Sequence, residues 1–322
     1  MNNVTIYDVA GKAKCSLATV SRVLNNPQDV KKETRERVLK VIEDLGYKPN
    51  AIARGLAARK SMTIGVISSE NINQSTAQFL AGIMKVAKEY KYSIRIFSIN
   101  RNNLIDELNL VLSNYVDGII FLNDELDNSQ MMQAVEYLKE KFTPFVLTNV
   151  DFEGDGVSSV NIDYIKATYE ITNSMIKDGK KKIALLSSNS INSNNFKKET
   201  GYLNAINESN LTPIIYRDIK CDIFNEIINT DIDGIISFKD SSAIQLMNGA
   251  IITGKKIPDD ISIVGLQNTK YALLSRPTLT CLNTPVFELG TEAMTLLTKL
   301  INKEVENHKV VLPYEIIKRN SY

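Results

Sequence analysis

Short apolar strands alternate with amphipathic helices from residue 61 to about residue 266, and this alternation most constrains the fold. The series begins with TIGVIS and FLAGIMKVAKEY, and after residue 160 it begins again with ATYEITNSMIKDG and KIALLSS. The segment DGII occurs in both halves, at 117–120 and 233–236. Strands joined by helices are typical of parallel α/β sheets, and the repetition indicates two such sheets. The sequence therefore predicts an α/β body of two lobes, with a ligand cleft at the strand ends between them.

The first sixty residues follow a different pattern. Helical spacing of apolar residues predicts three short helices at 5–13, 17–25 and 33–45. Thr5 and Ser16 are suited to cap the first two helices. Two short helices joined by a tight turn and braced by a third form a helix-turn-helix unit. The predicted fold is therefore an all-α helix-turn-helix head joined to the α/β two-lobed body.

Charge is distributed unevenly between these parts. The whole chain has a net charge of only +1, but residues 1–60 carry 12 Lys and Arg against 6 Asp and Glu. The remaining residues carry 26 against 31. A basic head on a mildly acidic body favours a polyanionic partner for the head.

In a helix-turn-helix unit the second helix lies in the major groove of DNA. Arg22 on that helix can donate two parallel hydrogen bonds to guanine. The apolar Leu17 and Ala18 can contact groove edges such as thymine methyl groups. Phosphate contacts, which fix the register of the protein on DNA, are predicted for polar side chains of the first two helices; these are Thr5, Tyr7, Thr19, Ser21 and Asn25.

Four segments, TIYDVA, ATVSRVLN, ETRERVLKVIEDLGYKPNAIARGLA and TIGVI, resemble the LacI/GalR family of bacterial repressors. The resemblance is dense over residues 4–67 and continues more weakly to about residue 314. TIYDVA and EYKYS are most similar to the catabolite-control members. The resemblance implies a homodimeric regulator of carbon metabolism on a palindromic double-stranded DNA operator, with a periplasmic-binding-protein-like body. A sugar-specific operon repressor of the same family and a cytoplasmic sugar-binding protein remain alternatives.

The resemblance divides the chain into a head (1–48), a hinge helix (49–60) and a body (61–322). In this family the hinge helix enters the minor groove, where a leucine unstacks the central base step. That role falls on Leu56, with Asn50, Ala53 and Arg54 beside it. Lys14 departs from the family pattern, which has a glycine in the turn, and Lys31 replaces the usual serine cap.

The resemblance also places the chain's crossings between the lobes near residues 161, 284 and 310. The N-lobe then comprises residues 61–160 and 285–309, and the C-lobe comprises 161–284 and 310–322. Apolar side chains on the helices around 79–90 and 287–301 are candidates for a dimer contact; these are Ile83, Met84, Ala87, Met294, Leu297 and Leu300.

Effector contacts implied by the resemblance fall on Glu70, Lys198, Asp240 and Gln267. Lys198 replaces an arginine, Lys239 replaces an asparagine, and an aspartate is missing near Gln267. The effector is a small sugar or sugar phosphate, or the pocket binds a sugar only weakly.

Catabolite-control members also respond to a serine-phosphorylated HPr phosphocarrier. Glu288 and Lys299 match its contact region. Thr295 stands where the family has an arginine that pairs with the phosphoserine, and its hydroxyl cannot replace that bidentate contact.

Other function classes find little support in the sequence. There is one histidine, His308, and the three cysteines are far apart, so neither a metal site nor a histidine-based enzyme is expected. No cofactor is predicted. The N-terminus lacks the apolar core of a signal peptide, and no apolar run is long enough to span a membrane. We expect a cytoplasmic protein.

Overall fold

The computed structural model describes residues 4–47, 60–68, 74–99, 101–122, 126–150, 156–189, 193–217 and 221–322. The chain forms two compact units, Met1–Ser61 and Met62–Tyr322. No helix in the described ranges is long and apolar enough to cross a membrane.

The described part of the first unit contains three α-helices, as predicted: α1 (Ile6–Lys12), α2 (Leu17–Asn25) and α3 (Lys32–Leu45). The Thr5 backbone N–H donates to the Asp8 carboxylate over 2.7 Å, and the Asp8 N–H donates to the Thr5 hydroxyl over 3.4 Å. The hydrogen bond from the Thr5 backbone lowers the pKa of Asp8. The helices enclose a small apolar core of Val9, Ala10, Ala13, Val20, Val23, Val38 and Val41.

The turn between α1 and α2 contains a residue in the left-handed region. Lys14 has φ 49°, whereas the end of α3 uses a glycine, Gly46, at φ 60°. A side chain in this region is unfavourable because its Cβ approaches the following carbonyl. Lys31, at the N-cap of α3, makes no side-chain cap hydrogen bond. The head therefore lacks two local stabilising features.

Replacing Lys14 with glycine is expected to raise the free energy of unfolding of the head by about 1 kcal/mol. Relief of the left-handed strain is worth roughly 1–2 kcal/mol, and the greater freedom of unfolded glycine offsets part of it. Amide hydrogen exchange at the buried Val20 and Val23 would measure the change. As a matched control, Lys12→Gly inside α1 should lower the same quantity by about 1 kcal/mol. Faster exchange in Lys14→Gly would contradict the argument.

The described residues of the second unit form two six-stranded sheets. The first has the order β11-β5-β4-β3-β1-β2, and its strands are β1 (Thr63–Ser68), β2 (Ser93–Ser98), β3 (Gly118–Leu122), β4 (Phe145–Thr148), β5 (Ser158–Ile162) and β11 (Lys309–Leu312). The second has the order β12-β10-β9-β8-β6-β7, and its strands are β6 (Ile183–Ser187), β7 (Ile214–Arg217), β8 (Gly234–Ser237), β9 (Ser262–Gly265), β10 (Thr280–Asn283) and β12 (Glu315–Ile317). All neighbours are parallel except β10 and β12.

Helices connect these strands and cover both sheets. They are α4 (Gln74–Glu89), α5 (Leu104–Ser113), α6 (Asn128–Glu140), α7 (Tyr164–Lys177), α8 (Ser193–Glu208), α9 (Cys221–Ile228), α10 (Asp240–Ile252), α11 (Lys270–Leu274) and α12 (Val286–Ile301). The two lobes share one apolar cluster, which includes Ile64 and Val160 from the first sheet and Leu185 and Val264 from the second.

The chain passes between the sheets three times, after β5, after β10 and after β11. The third crossing had been expected near 310, but Lys309–Leu312 pairs in parallel with β5, from Lys309 opposite Ser159 to Leu312 opposite Ile162. The C-lobe portion therefore begins after Leu312 rather than at 310. The first crossing likewise follows Ile162 because β5 continues two residues past 160.

The repeated DGII segment has the same structural role in both lobes. The Asp117 carboxylate accepts the Met62 backbone N–H over 2.9 Å at the start of β1. The Asp233 carboxylate accepts the N–H groups of Lys181 and Lys182 over 2.8 and 2.9 Å just before β6. In each lobe, the aspartate that precedes the third strand therefore binds the backbone at the start of the first strand.

Glycines allow a close helix crossing in each lobe. A Cβ at Gly82 of α4 would lie 2.1 Å from the Phe287 carbonyl oxygen of α12, and one at Gly290 would lie 2.1 Å from that of Phe79. In the other lobe, a Cβ at Gly201 of α8 would lie 2.2 Å from the Ile165 carbonyl oxygen of α7. The backbones of each pair are therefore in direct contact.

Candidate functional site

The outer face of α2 carries the side chains predicted to read DNA bases. Val20 and Val23 are buried in the head, and this fixes the rotation of the helix. Leu17, Ala18 and Arg22 are all exposed as a result. Ser16 caps the helix by accepting the Thr19 backbone N–H over 3.2 Å. An arginine and two small apolar contacts are thus presented together on a rigid, capped helix.

The predicted phosphate-contact side chains differ in their surroundings. Tyr7 is 69% exposed on α1. The Thr5 hydroxyl donates to Asp8 over 2.7 Å, and the Thr19 hydroxyl shares a 2.9 Å hydrogen bond with Ser16. Ser21 is half-buried on α2. The Thr5 hydroxyl therefore takes part in the cap of α1 and can donate to a phosphate only if its bond to Asp8 breaks. The Thr19 hydroxyl can donate to a phosphate while it accepts from the Ser16 hydroxyl.

Several predicted residues lie outside the part of the chain that the structure describes. They are the hinge residues Asn50, Ala53, Arg54 and Leu56 and the effector residue Glu70. Asn25 is the last residue of α2.

A cavity of about 210 Å³ opens at the carboxyl ends of β6 and β8 in the second sheet. Its described lining is rich in hydroxyl groups and consists of Leu186, Ser187, Ser188, Ser237, Phe238, Lys239 and Ser242. The Ser187 hydroxyl donates to the Glu199 carboxylate over 3.3 Å. The volume is smaller than the ~300–1,000 Å³ of clefts for drug-sized ligands, so the occupant must be small. Lys239 precedes α10, whose amino-terminal dipole adds positive potential. The cavity is suited to a small, hydroxylated anion.

Lys198 lies beside this cavity, as the resemblance predicted for an effector contact. Its ammonium stands 4.9 Å from the ring centre of Tyr164 and 5.4 Å from that of Phe238, which lines the cavity. Such cation–π contacts hold the charge at a defined position beside the cavity.

Asp240 and Gln267 support the wall of the cavity. Asp240 is fully buried, and its carboxylate accepts the Thr269 N–H over 2.6 Å and the Thr269 hydroxyl over 2.9 Å. The Gln267 side-chain oxygen accepts the Asp240 backbone N–H over 3.3 Å. Burial raises the pKa of the neighbouring Cys281 to about 12, and the Asp240 charge adds to the shift. Asp240 therefore organises the loop after β9, and its contact with an effector remains a prediction.

The predicted phosphocarrier contacts lie along one strip of α12. Glu288 and Lys299 are exposed, and Thr295 lies half-buried between them. The Thr295 hydroxyl donates to the Thr291 carbonyl over 2.8 Å, so it is used by its own helix.

Most of the apolar residues suggested for dimerisation are not on the surface. Ile83, Ala87, Met294 and Leu297 are all at most 2% exposed, within the core that α4 and α12 form over the first sheet. Their suggested dimer role was wrong, because the glycine-mediated crossing turns these faces toward each other and the sheet. Met84 is 56% exposed and Leu300 is half-buried, so these two members of the set are still available to a partner.

Comparison with known proteins identifies both parts of the chain. Residues 5–50 match the model of bacterial regulatory proteins of the lacI family, and residues 172–322 match a periplasmic binding protein-like domain. The HTH-type transcriptional regulator pepR1 of Lactobacillus delbrueckii subsp. lactis is 40% identical over 99% of this chain and 98% of its own. Catabolite control protein A of Priestia megaterium is 38% identical over 99% of both chains.

The chain belongs to the LacI family of bacterial regulatory proteins. It is a transcriptional regulator and not an enzyme, as predicted. The fold agrees: the Lac repressor dimer bound to operator and the anti-inducer ONPF superposes with a TM-score of 0.89 at 24% identity, covering 99% of both chains.

Sequence reasoning on this LacI-family chain missed most of the cavity wall. Ser187, Ser188, Ser237 and Ser242 were not singled out, although the first three end or directly follow predicted strands. Their place at the strand ends could have identified them, because ligands of parallel sheets bind at the carboxyl ends of strands. The side-chain placement of Lys197, next to Lys198, had no signal in the sequence.

Proposed function

We propose that this protein is a sequence-specific transcription regulator of carbon metabolism that binds a palindromic operator as a homodimer. The observation that carries the proposal is the exposed face of α2, where Arg22 stands beside Leu17 and Ala18. An arginine can distinguish guanine in the major groove, and phosphate contacts from Tyr7, Thr5, Thr19 and Ser21 would fix its register. The resemblance adds minor-groove contacts from the hinge, with Leu56 as the wedge.

The name of the Priestia megaterium relative favours the catabolite-control type for this chain. A palindromic site requires twofold symmetry in the protein, so a homodimer follows from the proposed operator. An effector acts by favouring one arrangement of the lobes and thereby the population that binds operator.

The operator proposal is tested by selecting duplexes from a random DNA library with the full-length protein at fixed salt. Salt must be stated because phosphate contacts make affinity strongly salt-dependent. We expect the selected site to be a palindrome. Native mass spectrometry should show two protein chains bound to one duplex. Selected sites without a palindrome, or one chain per duplex, would overturn the proposal. A 61–322 fragment that retained all ligand-dependent activity would instead favour a stand-alone sugar-binding protein.

We further propose that the cavity binds a small phosphorylated sugar. Lys239 and Lys198 can donate to phosphate oxygens, and the oxygens of the four serines can accept from sugar hydroxyls. Isothermal titration calorimetry with glucose 6-phosphate, glucose and inorganic phosphate measures how much the sugar and the phosphate group each contribute to affinity. We expect binding of the sugar phosphate to weaken about tenfold in Lys239→Met. Equal affinity for glucose and its phosphate would favour the alternative of a sugar-specific repressor.

The phosphocarrier contact remains a prediction for Glu288 and Lys299. Thr295 offers no cation to a phosphoserine, so any contact depends on Lys299. Operator affinity measured with and without serine-phosphorylated HPr decides the point, and an unchanged affinity at saturating carrier would remove this partner.

A further inference from the structure

Two consecutive lysines in the first turns of α8 point to different lobes. Lys198 stays with its own lobe, over the rings of Tyr164 and Phe238. Lys197 is only 4% exposed, and its Nζ donates to the backbone carbonyl of Asn149 over 3.4 Å. Asn149 directly follows β4 in the first sheet, whereas α8 packs in the second lobe. The buried ammonium therefore joins one lobe to the other.

The acceptor is held in a fixed orientation. The Asn149 backbone N–H donates to the Val160 carbonyl over 2.9 Å, and its side-chain oxygen accepts the Ile162 N–H over 3.2 Å. The residue has φ 56° and is 7% exposed. β5 holds Asn149 by both its backbone and its side chain. The Asn149 carbonyl is therefore already oriented to accept from Lys197.

A buried ammonium is strongly unfavourable unless it is hydrogen-bonded, whereas an ammonium in water is fully solvated. The bond from Lys197 to Asn149 can therefore form only while the two lobes keep the arrangement seen here. Opening of the lobes breaks its bond to Asn149 and hydrates the charge. A contact that differs between two arrangements in this way contributes directly to their balance.

The same helix links this contact to the cavity. Lys198 is adjacent in sequence to Lys197 and contacts Phe238, which lines the cavity. A ligand that attracts the Lys198 ammonium must displace it from the two rings. Because both lysines are on the first turns of α8, such a displacement acts on the helical turn that positions Lys197.

We propose that Lys197 is a positioning residue that latches the two lobes together and sets which lobe arrangement predominates. The part played by a cavity ligand in releasing or tightening this latch rests on the proposed function. The latch itself does not, because it concerns the lobes alone.

The test measures the distance between the lobes in the full-length protein. Nitroxides are attached through a ketone-bearing unnatural amino acid at the exposed positions Lys88 and Asn204, diluted with unlabelled protein, and measured by pulsed electron resonance. Lys197→Met should shift the distribution to longer distances. The conservative Lys197→Arg should retain the original distribution, as should Lys177→Met, a matched control at an exposed lysine of α7 in the same lobe. An unchanged distribution in a folded Lys197→Met protein overturns the proposal.

A second variant covers the case in which Lys197→Met does not fold. Asn149→Gly preserves the left-handed backbone but removes the side-chain bond to Ile162, so the carbonyl loses its fixed orientation. It should shift the distances in the same direction, and no shift would also overturn the latch.

Operator binding provides a separate readout. Lys197→Met is expected to change operator affinity about tenfold and to reduce the further change caused by glucose 6-phosphate, while Lys177→Met, which removes an exposed lysine of α7, should leave ligand-free affinity unaltered. If distances shift but no palindrome is bound, the proposed function fails and the latch stands. If palindromes are bound but distances never shift, the latch fails alone.

Discussion

Replacing Gly82 with alanine is expected to lower the free energy of unfolding of the body by about 3 kcal/mol or more. The new Cβ would lie 2.1 Å from the Phe287 carbonyl oxygen and 3.0 Å from the Thr291 backbone nitrogen. Neither atom belongs to a side chain that can rotate away, so α4 and α12 must separate. Separation opens the core around Phe79 and Ile83, which are completely buried. A small-to-large substitution whose added atom clashes with backbone is among those that lower the free energy of unfolding most.

Thermal unfolding of the full-length protein measures this effect, and we expect the midpoint to fall by roughly 6–12 °C. Gly249→Ala is the matched control within a helix of the same unit. The nearest atom to a Cβ there is Cδ1 of Ile228 at 2.4 Å, and the far end of a side chain can move. Its cost should stay below about 1 kcal/mol. Similar losses in both variants would show that backbone contact between α4 and α12 is not what makes Gly82 necessary.

Arg22→Ala should reduce affinity for the selected palindrome by about 10–100-fold, while binding to unrelated DNA changes much less. A bidentate arginine–guanine contact carries roughly 1–3 kcal/mol of discrimination. Among the residues that the structure describes, none forms an ion pair with Arg22, so its removal leaves no charge unpaired in the head. Fluorescence anisotropy at fixed salt, with duplexes in which each guanine is replaced in turn, identifies the base that it reads.

Two further variants separate the geometry of Arg22 from its charge. Arg22→Lys keeps the charge but loses the planar pair of donors, so it should lose discrimination almost as fully. Arg37→Ala removes an equal charge from the exposed surface of α3 and should weaken specific and non-specific binding alike. If Arg22→Ala also weakened both kinds of DNA equally, its role would be contact with phosphate and not with bases.

Local patterns predicted the helices of the head because each helix has its own start and stop residues. Thr5, Ser16 and Gly46 act where the sequence indicated, and α2 has the predicted bounds. The two sheets were predictable for a similar reason, since strands of β-branched residues alternate with helices along the chain. The repeated DGII segment indicated two lobes before its hydrogen bonds were known.

Features that depend on contacts distant in sequence could not be predicted. Apolar positions on α4 and α12 have the same spacing whether they face a partner or their own core, and only the crossing at Gly82 and Gly290 decides between the two. The pairing of β11 with β5 joins segments far apart in the chain, which moved the last crossing by a few residues. Lys197 was unpredictable because nothing local distinguishes a lysine that bridges two lobes from one in solvent.

The interlaced path of the body also has a consequence for its synthesis. Strand β5 ends at Ile162, but its neighbour β11 begins at Lys309, roughly 150 residues later. At about 5–20 residues per second, a ribosome needs roughly 7–30 seconds to supply that strand. During this time the N-lobe also lacks α12, so the apolar face of α4 and one edge of the sheet stay uncovered. The nascent N-lobe therefore exposes apolar surface until nearly the whole chain has been made.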